Sequence, residues 1–166
     1  MDRTGTPDKE KQRANEKVAE EDDIKRFLHD DESVLKLHDS LFKFTIVYLI
    51  LSKDTERAVR LVSKKFLVRA PSMRIGHTKG KKSALAVYSV AANSILFAHQ
   101  EHFFDPFVVL HEMYHCIRSR SGNHRGTEKN ADKFAIDYIE EYSRQVNQMK
   151  FQRELPRAPS FTPEVD

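Results

Sequence analysis

The chain of 166 residues has one cysteine, no tryptophan, five glycines and six prolines. With Cys116 alone, no disulfide can close within the chain and no Cys-x-x-Cys metal knuckle can form. Long apolar runs are missing too. The longest, residues 44–51, falls far short of the ~20 residues that span a bilayer. The first residues, Met1-Asp-Arg-Thr-Gly-Thr-Pro-Asp-Lys, lack the apolar core of a signal peptide. These absences predict a soluble protein of a reducing cytoplasm, with no membrane partner. A large charge of one sign is also absent, because 28 basic residues nearly balance 25 acidic ones and leave +3. Basic residues cluster only at Lys64-Lys65 and Lys79-Gly-Lys81-Lys82, too briefly for the basic stripe of a nucleic-acid binder. Nucleic-acid binding is therefore not indicated.

Hydrophobic residues at 39% and charged residues at 32% suit one globular, strongly solvated domain. Residues 1–22 carry Val18 as their only sizeable apolar residue after Met1, and read as a flexible charged arm. Residues 152–166 contain Pro156, Pro159 and Pro163 and read as a disordered, proline-rich tail. The span 23–151 between them reads as a single domain.

Within it, Ser33 can cap a helix through Leu37, Leu41, Phe44, Tyr48 and Leu51, apolar all round in its second half. The β-branched run Thr45-Ile46-Val47 leaves a strand open there, and length favours the helix. Asp54 can cap a second helix with Ala58, Leu61, Val62 and Phe66 at helical spacing. A strand-like run at 66–69 stops at Pro71, Met73-Arg74-Ile75 can resume it, and 76–82 reads as a basic loop. Residues 84–90 and 94–98 form two short β-type runs around Ala91-Ala92-Asn93, which predicts a hairpin. Asp105-Pro106 then starts a helix carrying Phe107, Leu110, Tyr114 and Ile117 inward, and Gly122-Asn123 can end it. Thr127 can cap a last helix with the stripe Ala131, Phe134, Ala135, Tyr138, Ile139, Tyr142, Val146 and Met149. The fold class is α+β: N-terminal helices, a small sheet with a hairpin, then two helices.

The second-last helix contains His111-Glu112-Met113-Tyr114-His115, a His-Glu-x-x-His motif. Residues four apart stack on one helical face, so both imidazoles can reach one ion. Glu112 stands beside them, placed to take a proton from a metal-bound water. A chance match is the alternative, on the order of a few per cent in a chain with eight histidines, so context decides. Glu128 and Asp132 share the inward face of the last helix with Ala131 and Ala135. Acids on an apolar stripe are costly unless paired or bound to metal, which makes Glu128 the candidate third ligand. Three further histidines are auxiliary candidates. His124 lies in the loop after the motif, with a spacing that does not fit the metzincin pattern; His99 and His102 follow the hairpin and could polarise a substrate carbonyl. Cys116 reads as a small core residue.

The motif followed by Glu128-Lys-Asn-Ala131-Asp132-Lys-Phe134-Ala135 resembles the ImmA/IrrE family of zinc-dependent peptidases, compact relatives of the gluzincins. The resemblance covers roughly residues 84–142, and its two motifs are specific together and weak apart. It implies a compact zincin-like domain in which a small sheet lies over the two site helices. It also implies Zn2+ held by His111, His115 and Glu128, Glu112 as the base, and Asp132 as an acceptor that orients a ligand histidine. Tyr114 stands where the family commonly has glycine. The expected activity is hydrolysis of peptide bonds in a protein or peptide substrate, with a repressor or related regulator suggested by family analogy alone. Two rivals stand beside it: a zinc-binding regulator that engages DNA or a protein partner without turnover, and a helical protein with an accidental motif.

Overall fold

The structure, a computed structural model, describes residues 30–76, 84–120 and 127–154. Asp30 opens α1 (Asp31–Leu35), its carboxylate accepting hydrogen bonds from the backbone N–H groups of Glu32 and Ser33. The single helix expected from Ser33 is instead two, because the chain turns at 36–38 before α2 (Asp39–Leu51). Ser33 does not cap; its hydroxyl donates to Asp30. The buried face of α2 also differs from the expected stripe. Phe42, Thr45, Ile46, Val47, Leu49 and Ile50 are buried, whereas Leu41 and Leu51 are exposed. Helix is the outcome at Thr45-Ile46-Val47, where it satisfies the buried backbone internally. We expect Ile46→Ala to lower stability by ~2–5 kcal/mol and Leu51→Ala by less than ~0.5 kcal/mol. Denaturant midpoints of the two variants would show it, and equal losses would mean the faces are misassigned.

Helix α3 (Thr55–Lys65) lies where expected and buries Ala58, Leu61 and Val62, but the Asp54 side chain makes no capping hydrogen bond and Phe66, expected on the same stripe, is 40% exposed beyond its end. Its end is closed by a hydrogen bond from Val68 N–H to the Ser63 carbonyl at 2.9 Å, with Leu67 at φ 55°. That closure normally uses glycine, and it is why residues 66–69 do not become a strand. Strand β1 (Ser72–Ile75) starts after Pro71. It pairs in parallel with β3 (Ser94–Phe97), while β2 (Ala86–Ser89) pairs antiparallel on the other side of β3. The order β1-β3-β2 leaves β2 on an edge. The hairpin turns where expected, with Asn93 at φ 45°. Ala86, Tyr88, Ile95 and Phe97 share the buried face of the sheet. Most of the expected basic loop lies outside the described residues.

A 3₁₀ turn (Gln100–Phe104) leads to α4 (Pro106–Arg120). Asp105 caps α4 as expected, accepting from Phe107 N–H at 2.9 Å and Val108 N–H at 3.3 Å. The expected terminators Gly122-Asn123 lie outside the described residues. Thr127 Oγ1 accepts from Asn130 N–H at 3.3 Å and starts α5 (Glu128–Glu154). At ~1.5 Å per residue this helix is about 40 Å long. It runs through residues 152–154, which the sequence assigns to the tail, because no proline interrupts it before Pro156.

Helix α5 is fastened along α2. Ser40 donates to Glu141, Arg144 and Gln145 bond the same pair, and Lys43 bridges Asp39 at 2.7 Å and Asp137 at 2.8 Å. Phe44 stacks on Tyr142 with ring centroids 5.1 Å apart. Donation from Arg144, then Ser40 and Gln145, holds the Glu141 carboxyl down to about 2. A carboxyl lowered on folding stabilises above its ordinary range, and that contribution fades as pH falls from about 4.5 toward 2. Among the described residues, the architecture is five α-helices and one three-stranded sheet, an α+β fold. No described helix is long and apolar enough to cross a membrane.

Candidate metal centre

The Asp105-Pro106 start sets the phase of α4 so that His111 and His115 face the same way, one turn apart, with their Nε2 atoms 3.2 Å apart. The Thr127 start does the same for α5. Glu128, on its first turn, places Oε2 at 3.0 Å from His111 Nε2 and Oε1 at 3.5 Å from His115 Nε2. Asp132, one turn further on, sets Oδ1 at 2.9 Å from His111 Nδ1. One ligand atom from each of His111, His115 and Glu128 lies within 4.8 Å of the other two, a group that could hold a metal ion. Ala131 and Ala135 are fully buried, which lets α5 lie close to α4. Glu128 itself is more open than an inward stripe position suggests, with its side chain 79% exposed, as its place at the very start of the helix allows.

The hydrogen bonding sharpens the electrostatics. An ionised Asp132 carboxylate can only accept, so the proton of a neutral His111 ring sits on Nδ1. His111 Nε2 then offers a lone pair toward the Glu128 carboxylate and His115 Nε2. With that tautomer, His111 Nε2 and the ionised Glu128 Oε2 are two acceptors 3.0 Å apart, which repel one another unless positive charge lies between them. A proton on His111 Nε2 or a metal cation beside it relieves that contact, whereas His115 Nε2 can also donate a hydrogen bond to His111 Nε2.

Glu112 is 8% exposed, and its Oε2 accepts from Tyr88 N–H at 2.6 Å. The carboxylate is thereby tied to edge strand β2. Tyr88 is held in turn: its hydroxyl donates to Asn93 Oδ1 at 2.9 Å, and Asn93 Nδ2 donates to the Ala70 carbonyl at 3.1 Å. A cavity of about 510 Å³ opens over these groups, with β2 on one side and His111, Glu112, His115 and Glu128 on the other. Leu85, Val90 and Phe107 give it apolar walls that reach solvent.

The Tyr88 contact and these walls are not among the sequence-based expectations, and Phe107, expected to face the core, is instead 36% exposed and lines the cavity. Phe107 had a signal, since it stands four residues before His111 on the same helical face. The Tyr88 amide had none, being backbone. Tyr114 lies between the rings of His115 and Phe134, with centroids 6.1 Å and 5.7 Å away. It thus braces the His115 ring from the side. His99 and His102 face each other at 5.7 Å on the 3₁₀ turn, and neither lines the cavity. His124 lies outside the described residues. Cys116 is fully buried, the small core residue expected. No family model matches the chain, and neither a curated protein nor a solved structure matches it significantly.

Proposed function

We propose that the chain is a zinc-dependent peptidase of the ImmA/IrrE kind, with a zincin-like arrangement of sheet and site helices. The observation that carries this reading is the convergence of His111, His115 and Glu128 across α4 and α5, with Glu112 beside them. The donor set suits zinc. Ligands at ~2.0–2.2 Å in a tetrahedron stand about 3.3–3.6 Å apart, close to the 3.0, 3.2 and 3.5 Å found between these side chains. Two imidazoles and one carboxylate are also the protein share of a catalytic zinc site.

Zinc held there would act as a Lewis acid on the substrate carbonyl and lower the pKa of water to ~7. The remaining work falls to the chain. Asp132 keeps His111 in the tautomer whose Nε2 is a donor of electrons. Glu112 takes a proton from the attacking water and returns it to the departing amine. The outer edge of β2 offers backbone groups to a peptide in extended form, beside apolar walls that exclude water. About one zinc per chain is expected in protein purified without added metal. A chain still metal-free after exposure to zinc would end this reading.

One observation favours a second reading, a zinc-binding regulator without turnover. No lysine, arginine or further histidine lines the cavity among the described residues, and the Tyr88 hydroxyl is engaged by Asn93. Zinc-loaded protein that leaves a library of quenched peptides uncut would support it.

A further inference from the structure

Leu67 combines two costs. It is 93% exposed, the largest exposure among the described large apolar side chains, and it sits at φ 55°. Glycine or asparagine would close α3 there without strain. Phe66 beside it is 40% exposed and meets the ring of Phe134 edge-on, with centroids 5.8 Å apart. Together they make an apolar strip from the end of α3 to α5. Lys64, Lys65 and Arg69 are exposed around it. From residue 57 to residue 100 the chain has no acidic residue at all.

The start of the described chain lies beside this strip. Asp31 bonds Arg57 at 2.9 Å and stands 3.7 Å from Lys64, so Asp30 begins next to the second half of α3. Before it comes Glu20-Glu21-Asp22-Asp23, followed by Ile24, Phe27 and Leu28. The six residues from Asp30 back to Ile24 reach about 20 Å when extended and about 9 Å when helical. Ile24, Phe27 and Leu28 are spaced so that one helical face would carry all three.

We propose that residues 20–28 of this chain dock on the strip, with Ile24, Phe27 and Leu28 covering Phe66 and Leu67 and the four acids facing Lys64, Lys65 and Arg69. Exposed charge pairs are individually weak and screened by salt, so the apolar contact supplies most of the affinity and the charges set direction. This docking is independent of the metal centre.

The test uses the full chain. Cys116 is fully buried, so a cysteine introduced by Ala19→Cys can be spin-labelled selectively. Backbone amide signals of residues 65–69 should lose most of their intensity through proximity to the label. They should recover it in Leu67→Asp and in Phe27→Asp; the exposure of Leu67 lets the first change leave the core intact, and the second leaves the strip itself untouched. Undiminished signals at 65–69 overturn the proposal, as does a loss that persists in both variants. So does a loss seen when spin-labelled chains are mixed with isotope-enriched unlabelled ones, since the occupant is then a second copy.

Discussion

Glu112→Gln is expected to keep the fold and the zinc and to lose peptide hydrolysis by ~10²–10⁴-fold. The amide has the same shape, and its carbonyl oxygen can still accept from Tyr88 N–H, the contact that ties this side chain to β2 at 2.6 Å. What it cannot do is take a proton from water. Holding shape, tether and metal constant isolates that one capacity. Zinc content, circular dichroism and hydrolysis of a quenched peptide, measured on the variant and its parent, would check it. Full turnover in Glu112→Gln would remove Glu112 from the role of base.

Zinc affinity should fall steeply in His111→Ala, His115→Ala and Glu128→Ala, and less in Asp132→Asn. The first three remove a group facing the shared point. Asp132→Asn leaves an oxygen able to accept from His111 Nδ1 and removes only the charge behind it. A partner of that kind typically costs ~10–100-fold. His124→Ala belongs with Asp132→Asn or above it. Competition titrations against a chelator would rank the set. Normal zinc binding by Glu128→Ala, together with severe loss in His124→Ala, would make the ligand assignment wrong.

The parts of the fold that were legible are those where one residue's chemistry decides. Asp105-Pro106 and Thr127 can cap helices, and each does. Ala91-Ala92-Asn93 separates two short β-type runs, and Asn93 takes the left-handed turn. Because those starts set helical phase, the grouping of His111, His115, Glu128 and Asp132 was legible too. The rest failed for a common reason. The second half of helix α2 is apolar on every side, so its pattern carries no direction, and only packing selects Ile46 and Ile50 over Leu51. Nothing local marks the turn at 36–38 that separates α1 from α2. Leu67 ends α3 in a conformation its residue type disfavours. Backbone partners such as the Tyr88 amide have no sequence signature at all.

Helix α5 is gripped in two places by different chemistry. Over residues 137–145 it is fastened to α2 by ion pairs, hydrogen bonds and ring stacking. At Glu128 and Asp132 it meets α4 through the histidines, beside the packing of Ala131 and the Phe134 ring against Tyr114. If zinc occupies that second grip, the ion is a clasp that closes the chain between His115 and Glu128, and it binds the folded form alone. Its free concentration then enters the folding equilibrium, adding ~2.7 kcal/mol at a hundredfold excess over Kd. The protein's lifetime would then follow the zinc supply of its surroundings, whether or not any peptide is cut.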